Sequence, residues 1–423
     1  MTNWVTSYVS GLLRLRWLSL LAIFAVTAAG FSGLQHARFK GDYRVFFGPD
    51  NPQLAAHDKL ERTYTKADNV LSIIQPAEGD VFQPHVLEAI KFVTEESWLL
   101  PRAIRVNSIT NYQHVSATED DLIVADLVDD PYAMSEADLV LAKEVALHEP
   151  FLAGRGISRD ARTTGVSTTF QLPDEPGLVV PSIAAAARAI QAEAREQYPD
   201  IRFEISGTVM LNNSFIESAQ GDMATLYPMM MAFLAVTMLI FLRSAFGALS
   251  AMIVVFLSAT FAYGMVSWFG VAITSPSTIG YVIILTVAIA DSIHVMITML
   301  SQMRIGVGKR EAISESLRIN MQPVFLTTLT TAIGFLSLNF SDSPPISDLG
   351  NICAIGAAAA FFYSITLLPI LLDLFPVKAR KGVGRDRDFL LSIVDFVERH
   401  RVGVLATTLA LTVSSVLAIV VLK

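Results

Sequence analysis

Asp291, His294 and Thr298 recur at i, i+3 and i+7 in the apolar stretch TVAIADSIHVMITML, residues 286–300. On an α-helix that spacing places all three on one face, while Ser292 and Thr286 point elsewhere. A carboxylate beside an imidazole and hydroxyls, enclosed by apolar side chains, has the chemistry of a proton relay, since both groups can take up and release a proton. If the stretch lies in lipid, Asp291 alone costs about 2.5–3.5 kcal/mol on insertion scales, so a functional reading comes first. The competing reading makes Asp291 and His294 hydrogen-bonding glue between helices. Facing hydroxyls are expected from PVFLTTLTTAIGFL (323–336), where Thr327, Thr330, Thr331 and Gly334 share a narrow face of small and polar residues. The relay candidates are therefore Asp291 and His294, supported by Thr298, Thr327 and Thr331. The threonines have a competing use, because a threonine hydroxyl in a helix can bond back to its own backbone. Gly350, Ala354, Ala357 and Ala358 offer a further helix that can approach closely. Pro276 and Pro323 are expected near helix starts, where proline needs no special role.

The elements that position these residues follow from hydropathy. The chain has 423 residues, 52% apolar and 17% charged. Seven apolar runs are long enough to cross about 30 Å of hydrocarbon, at 17–34, 224–242, 247–268, 279–300, 321–340, 351–372 and 402–422. The fold class is a polytopic α-helical membrane protein with an α/β domain between its first and second helices. With the N-terminus in the cytoplasm, nearly all Lys and Arg outside 35–223 fall on the cytoplasmic side, among them Arg14, Arg16, Arg243, Arg304, Arg310 and Arg401. The short loops at 269–278 and 341–350 carry none. This asymmetry sets the orientation and places 35–223 outside, in the periplasm of a bacterial inner membrane. That segment holds 16 basic and 29 acidic residues, a net charge of −13, so it offers nothing to nucleic acid. The single cysteine, Cys353, lies in the sixth run, which leaves the outer segment to fold without a disulfide. The first run is too long for a typical signal peptide and is expected to be retained.

Within the outer segment, 68–76, 102–110, 161–172 and 201–209 read as strands, and 84–98 and 181–198 as helices. The order is β-α-β, an insertion, then β-α-β, a ferredoxin-like pattern. The insertion, 111–160, is acidic and partly helical. An internal repeat is also visible at a shift of 385. Arg14 and Arg16 fall on Arg399 and Arg401, and Trp4, Val5, Tyr8, Val9 and Leu12 fall on Phe389, Leu390, Ile393, Val394 and Val397. That apolar face suits a helix lying in the membrane interface, and any juxtamembrane amphipathic helix could share it. If the repeat is real, residue 386 begins a second copy, and the chain is the first half of a protein about twice as long. The expected organisation is an interfacial helix (1–16), a first span (17–34), the periplasmic domain (35–223), spans two to six (224–373), a cytoplasmic linker with a second interfacial helix (374–401), and a seventh span (402–423).

Enzyme signatures are missing from the sequence. GVGKR (306–310) has neither the spacing nor the hydroxyl of a phosphate-binding loop, no G-x-S-x-G or H-E-x-x-H occurs, and the histidines show no metal-ligand spacing. The expectation is a chain without enzyme chemistry, with no cofactor and no metal.

This pattern resembles the resistance–nodulation–division superfamily, and within it the MmpL-like, Patched-like and hopanoid-exporter branch. DYRVFFGPDNPQ (42–53) resembles the branch's segment leading into the outer domain. VAIADSIHVM resembles its acidic fourth-helix motif, and 322–372 resembles its fifth and sixth helices nearly throughout. The resemblance implies that Asp291 is the proton-carrying acid of a proton-driven exporter of hydrophobic molecules, lipids such as hopanoids or sterols. It also implies a matching half with its own relay helix, and a dimer or trimer of the full-length protein. Val287 and Ser292 depart from the family, which often has Gly before the acid and Asp or Tyr after it. Two other readings stand beside the exporter: a lipid sensor or scaffold built on similar sterol-sensing helices, and a SecDF-like accessory to protein export.

Overall fold

The computed structural model describes residues 2–64, 68–117, 122–173, 179–378 and 394–421. Seven helices among them are long and apolar enough to cross a membrane. The chain is a multi-pass helical membrane protein with an α/β unit inserted after its first span. The first span is α2 (Arg16–Ser32), preceded by α1 (Thr2–Arg14). The second is a continuous helix of 35 residues, Thr208–Leu242, comprising α7 (Thr208–Gly221), a π-helical turn (Asp222–Leu226) and α8 (Tyr227–Leu242). It starts well before residue 224 because α7, a mixed stretch without the continuous apolar run that marks a span, packs on the α/β unit.

The bundle core is built by α9 (Ala245–Trp268), α10 (Ser275–Arg304), α11 (Lys309–Leu336) and α12 (Pro344–Ile365), followed by the short α13 (Leu367–Leu374). Thr274 and Ser277 cap α10 reciprocally and Pro276 sits in its first turn, so that start is strongly specified. Helix α11 begins at Lys309 rather than near 321, which places Pro323 inside it rather than at its start. The buried side chains Val254, Val255, Ile284, Leu285, Met296 and Ile352 form one cluster across these helices.

The inserted unit carries a four-stranded sheet of β2 (Asn69–Pro76), β3 (Ala103–Asn107), β6 (Thr164–Phe170) and β7 (Ile201–Ser206), in the order β3-β6-β2-β7 with every neighbour antiparallel. Helices α4 (Pro84–Trp98) and α6 (Val179–Gln197) pack against it and against each other. This is the ferredoxin-like arrangement that the order of periods predicts. Val70, Ile74, Ile90, Val166, Phe170 and Ile183 are among its buried side chains. The insertion folds as the hairpin β4 (Gln113–Ala117) with β5 (Leu122–Asp126) and the helix α5 (Glu136–His148). A hydrogen bond from Ser135 to Asp138 at the start of α5 holds that carboxyl below its usual range. The unit is also tied to the bundle: β1 (Phe39–Lys40) pairs in parallel with β8 (Ile273–Thr274), just ahead of α10.

Helix α1 has the apolar face read from its sequence, but protein covers part of it. Val5, Val9 and Leu13 are buried in the bundle cluster, and the Tyr8 hydroxyl donates to the Ile365 carbonyl at 3.2 Å. Asp373 then ties together the start of α2 and the start of α11, receiving Arg16 at 3.0 Å and Arg310 at 2.9 Å. Of the helix matched to α1 by the repeat, Phe389, Leu390 and Ile393 lie outside the described residues, whereas residues 394–399 are helical. The seventh apolar helix is Arg401–Val421.

Because the two cores of the α/β unit contain no residue of α8 to α13, residues 40–218 expressed alone are expected to fold as a soluble α/β domain. A random-coil circular dichroism spectrum in detergent-free buffer would count against this.

Candidate functional site

Helix α10 carries Asp291 into the bundle at 4% exposure, among Ala288, Ser292, Val295 and Met296 on its buried side. The neighbour on that side is α11, whose buried residues include Ala312, Ser316, Asn320, Val324 and Thr328. Their spacing of four draws one stripe along the helix. Thr328 is the hydroxyl that faces the Asp291 carboxyl, yet neither Asp291 Oδ2 nor Thr328 Oγ1 has a hydrogen bond of ordinary geometry. Ser292 Oγ on α10 and Ser364 Oγ on α12 are likewise buried without a partner. A buried polar atom left unpaired costs about 1–3 kcal/mol, which argues against these groups being mere packing. Among the described ion pairs none involves Asp291.

The other candidates fall differently. His294 is exposed on α10, about 60° round the helix from Asp291 by the 100° step, and no hydrogen bond joins the two among the described residues. Thr298 is half-buried, donates to the His294 carbonyl at 3.0 Å and receives the Asn320 amide at 2.8 Å. Thr327 is exposed and bonds back to Val324 of its own helix, and Thr330 does the same to Leu326. Thr331 is half-buried. The expected face of Thr327, Thr330 and Gly334 therefore turns away from Asp291. The physical reason is the helical step: one residue further on, Thr328 alone of the threonines shares the four-residue stripe that packs on α10.

Two residues that sequence reasoning missed hold the interface together. Asn320 bridges Thr298 and the Ser316 carbonyl, and Ser316 Oγ donates to the Val295 carbonyl at 2.5 Å. The signal that could have found them is that same spacing of four ending on Thr328. The two helices are thus fixed by polar contacts beside Asp291 that leave its own Oδ2 free, which is what an acid needs if it is to exchange a proton.

Elsewhere, a cavity of about 390 Å³ opens between the β4–β5 hairpin and α5, with Asp126, Asp129, Asp130 and Asp138 along it. Three of these carboxylates serve local structure, Asp126 with Gln113, Asp130 with the Tyr132 amide and Asp138 with Ser135. Among the described residues, no group of three or more His, Cys, Asp or Glu could hold a metal ion.

Comparison with known proteins agrees with this architecture. Residues 100–391 match the sequence model of the MMPL family. A stretch of 105 residues is 33% identical to the hopanoid transporter HpnN of Rhodopseudomonas palustris, covering 25% of this chain and 12% of that protein. Over 95 residues the chain is 34% identical to the hopanoid transporter HpnN of Burkholderia multivorans, covering 22% and 10%. Over 90 residues it is 33% identical to a membrane protein of Methanocaldococcus jannaschii, covering 21% and 23%. The chain thus covers less than a quarter of the length of each of these relatives.

Proposed function

This chain belongs to the MMPL family, and we propose that it is part of a proton-driven exporter of hydrophobic molecules, with lipids of the hopanoid or sterol kind as the substrate class. The observation that carries the reading is Asp291, nearly fully buried in a membrane bundle with Oδ2 unpartnered and the Thr328 hydroxyl facing it. An intramembrane acid of this kind is functional by default, and a proton is the simplest ligand it can bind and release. Two relatives that are hopanoid transporters support lipid as cargo. The α/β unit, joined to α10 through the β1–β8 pair, would receive the substrate from the outer leaflet or the periplasm. Proton passage at Asp291 would drive its motion.

In this reading the helices work beside a second set, supplied by a further half of a longer protein or by another copy. His294 gives α10 an exposed imidazole that lipid tails would not solvate. His294 would then enter the relay from that side, and His294→Gln is expected to give a milder loss than any change at Asp291. The test is reconstitution of the full-length protein in liposomes carrying an internal pH dye, with a hopanoid offered as substrate. Proton flux that depends on the lipid supports export; tight lipid binding without proton flux would point instead to a sensor.

The proposed location is the bacterial inner membrane with the α/β unit in the periplasm. Cysteine placed at Gly308 is expected to react with an impermeant label only after the inner membrane is opened, and cysteine at Ser343 to react from outside. The reverse pattern would sink the orientation and the direction of transport with it.

A further inference from the structure

The helix from Thr208 to Leu242 is continuous but not uniform. Across Asp222–Leu226 it widens into a π turn, with the Tyr227 amide bonded to the Asp222 carbonyl five residues back. The sequence supplies the cause in Pro228. It has no N–H to give to the Ala224 carbonyl and its ring would press on that oxygen, so the ladder opens here and slips by one residue.

Both sides of this turn are held firmly, α7 mainly to the α/β unit, with a smaller contact on α10, and α8 to the membrane bundle. On the N-terminal side, α7 is fastened to the α/β unit. The Thr208 amide donates to Asn69 Oδ1 at 3.2 Å, Asn212 Oδ1 accepts from the Tyr43 amide at 3.1 Å, and Arg188 of α6 forks onto Glu217 at 2.5 and 2.9 Å. On the C-terminal side, α8 is fastened to the membrane bundle. The Tyr227 hydroxyl donates to the Thr278 carbonyl of α10 at 2.6 Å, and its ring stacks on Tyr281 with centroids 4.6 Å apart and planes 18° from parallel. Met238 and Leu242 bury the far end of α8 in the bundle cluster. Between these two anchorages no residue of the π turn is buried, and a Cβ added at the adjoining Gly221 would meet nothing within 4 Å.

We propose that this proline-seeded π turn is the hinge on which the α/β unit moves against the membrane bundle, and that Tyr227 is the positioning residue that ties the hinge to α10. The assignment of a hinge stands on the geometry alone; that α10 drives it rests on the exporter reading above. Tyr281 lies ten residues before Asp291 on the same helix, about 15 Å along the axis at 1.5 Å per residue. A shift or rotation of α10 at the acid would thus reach Tyr227 through a rigid rod and turn α7, with the sheet attached to it.

The test compares the wild-type chain with Pro228→Ala, with Pro228→Ala combined with deletion of Ala224, and with Tyr227→Ala and Tyr227→Phe, all in lipid nanodiscs. Removing one residue from a π turn heals it to α-helix while leaving both flanking helices on their original faces, so the combined variant rigidifies the hinge without rotating the domain. Two readouts are used: hydrogen exchange of amides 222–227, and the distance distribution between spin labels at Glu196 and Gly308 in a Cys353→Ser background. The expected results are exchange at least about tenfold faster in the wild-type turn than in the turns of α8, slowing in the healed variant to the flanking rate. The distance distribution should narrow in the healed variant, broaden in Tyr227→Ala and be largely restored in Tyr227→Phe, which keeps the stack. Wild-type exchange equal to that of the flanking turns, or identical distance distributions in the wild-type and healed chains, would overturn the hinge. A distribution unaffected by Tyr227→Ala would overturn the positioning role. Neither readout needs a substrate, so a failure of the exporter reading would show in transport assays and leave these results interpretable.

Discussion

Asp291→Asn in the full-length protein is expected to abolish transport, by about 100-fold or more, the scale on which removing an acid–base group acts, while folding and insertion survive. Asparagine keeps the size and most of the hydrogen-bonding capacity of the acid and loses only titration. If Asp291 were structural glue, the amide would substitute for it, because a polar amide makes the same kind of interhelical bond at about 0.6 kcal/mol on average. The structure sharpens the contrast. Polar contacts between α10 and α11 are made by Ser316, Asn320 and Thr298, while Asp291 Oδ2 makes none. Thermal stability in detergent should therefore stay within about 1 kcal/mol of wild type. Near-normal transport by the asparagine variant would refute the relay.

The neighbouring threonines give an internal control. Thr328→Val removes the one hydroxyl facing the acid and is expected to slow transport, whereas Thr327→Val, on the exposed side, should have little effect on the acid itself. Equal effects from the two would mean that the four-residue stripe is not the face that serves Asp291.

How much of this was legible in the sequence depends on the kind of signal. Spans were, because a run of about twenty apolar residues is a compositional feature that no packing detail can undo. The sheet was legible as well: the periods at 68–76, 84–98 and 161–172 admit few closed arrangements, and the order β3-β6-β2-β7 is the one they favour. The face of α11 was not. Thr327, Thr328, Thr330 and Thr331 occupy four directions on one helical wheel, and choosing among them requires knowing that the helix starts at Lys309 and packs by way of Ser316 and Asn320. That His294 lies exposed rather than on the buried side with Asp291 was not legible for a related reason. A separation of three residues still leaves about 60° between side chains, enough to put one in the core and the other outside when only one neighbour is present. The early start of the second span was hidden too, since α7 is fixed by its contacts with the α/β unit rather than by hydropathy.

Gly264→Ala is expected to be among the most destabilising single-methyl changes in the bundle. Helices α2 and α9 cross with their backbones almost in contact: a Cβ on Gly264 would stand 2.1 Å from the Gly30 carbonyl oxygen, and one on Gly33 would stand 1.9 Å from the Gly264 oxygen. Those are backbone atoms, which cannot rotate aside as a side chain could. The helices would have to separate by an ångström or more, and other contacts resist that. Trp268 Nε1 donates to the Ala29 carbonyl at 3.0 Å, and Thr27 and Tyr363 share a hydroxyl bond at 2.8 Å close by. Overpacking of a well-filled core costs roughly 1–3 kcal/mol, and more when backbone must move, so a loss near or above the top of that range is expected. Gly334→Ala is the matched control. A Cβ there meets nothing within 4 Å, and alanine is favoured over glycine in a helix by about 1 kcal/mol, so the variant should be neutral or slightly stabilised. Thermal unfolding in one detergent, followed by tryptophan fluorescence, would compare the two. Equal midpoints for Gly264→Ala and Gly334→Ala would mean that the α2–α9 crossing is not the tight contact described here. A large drop confined to Gly264 would show that small residues set how closely the first span approaches the bundle, as expected where lipid provides no hydrophobic force to press helices together.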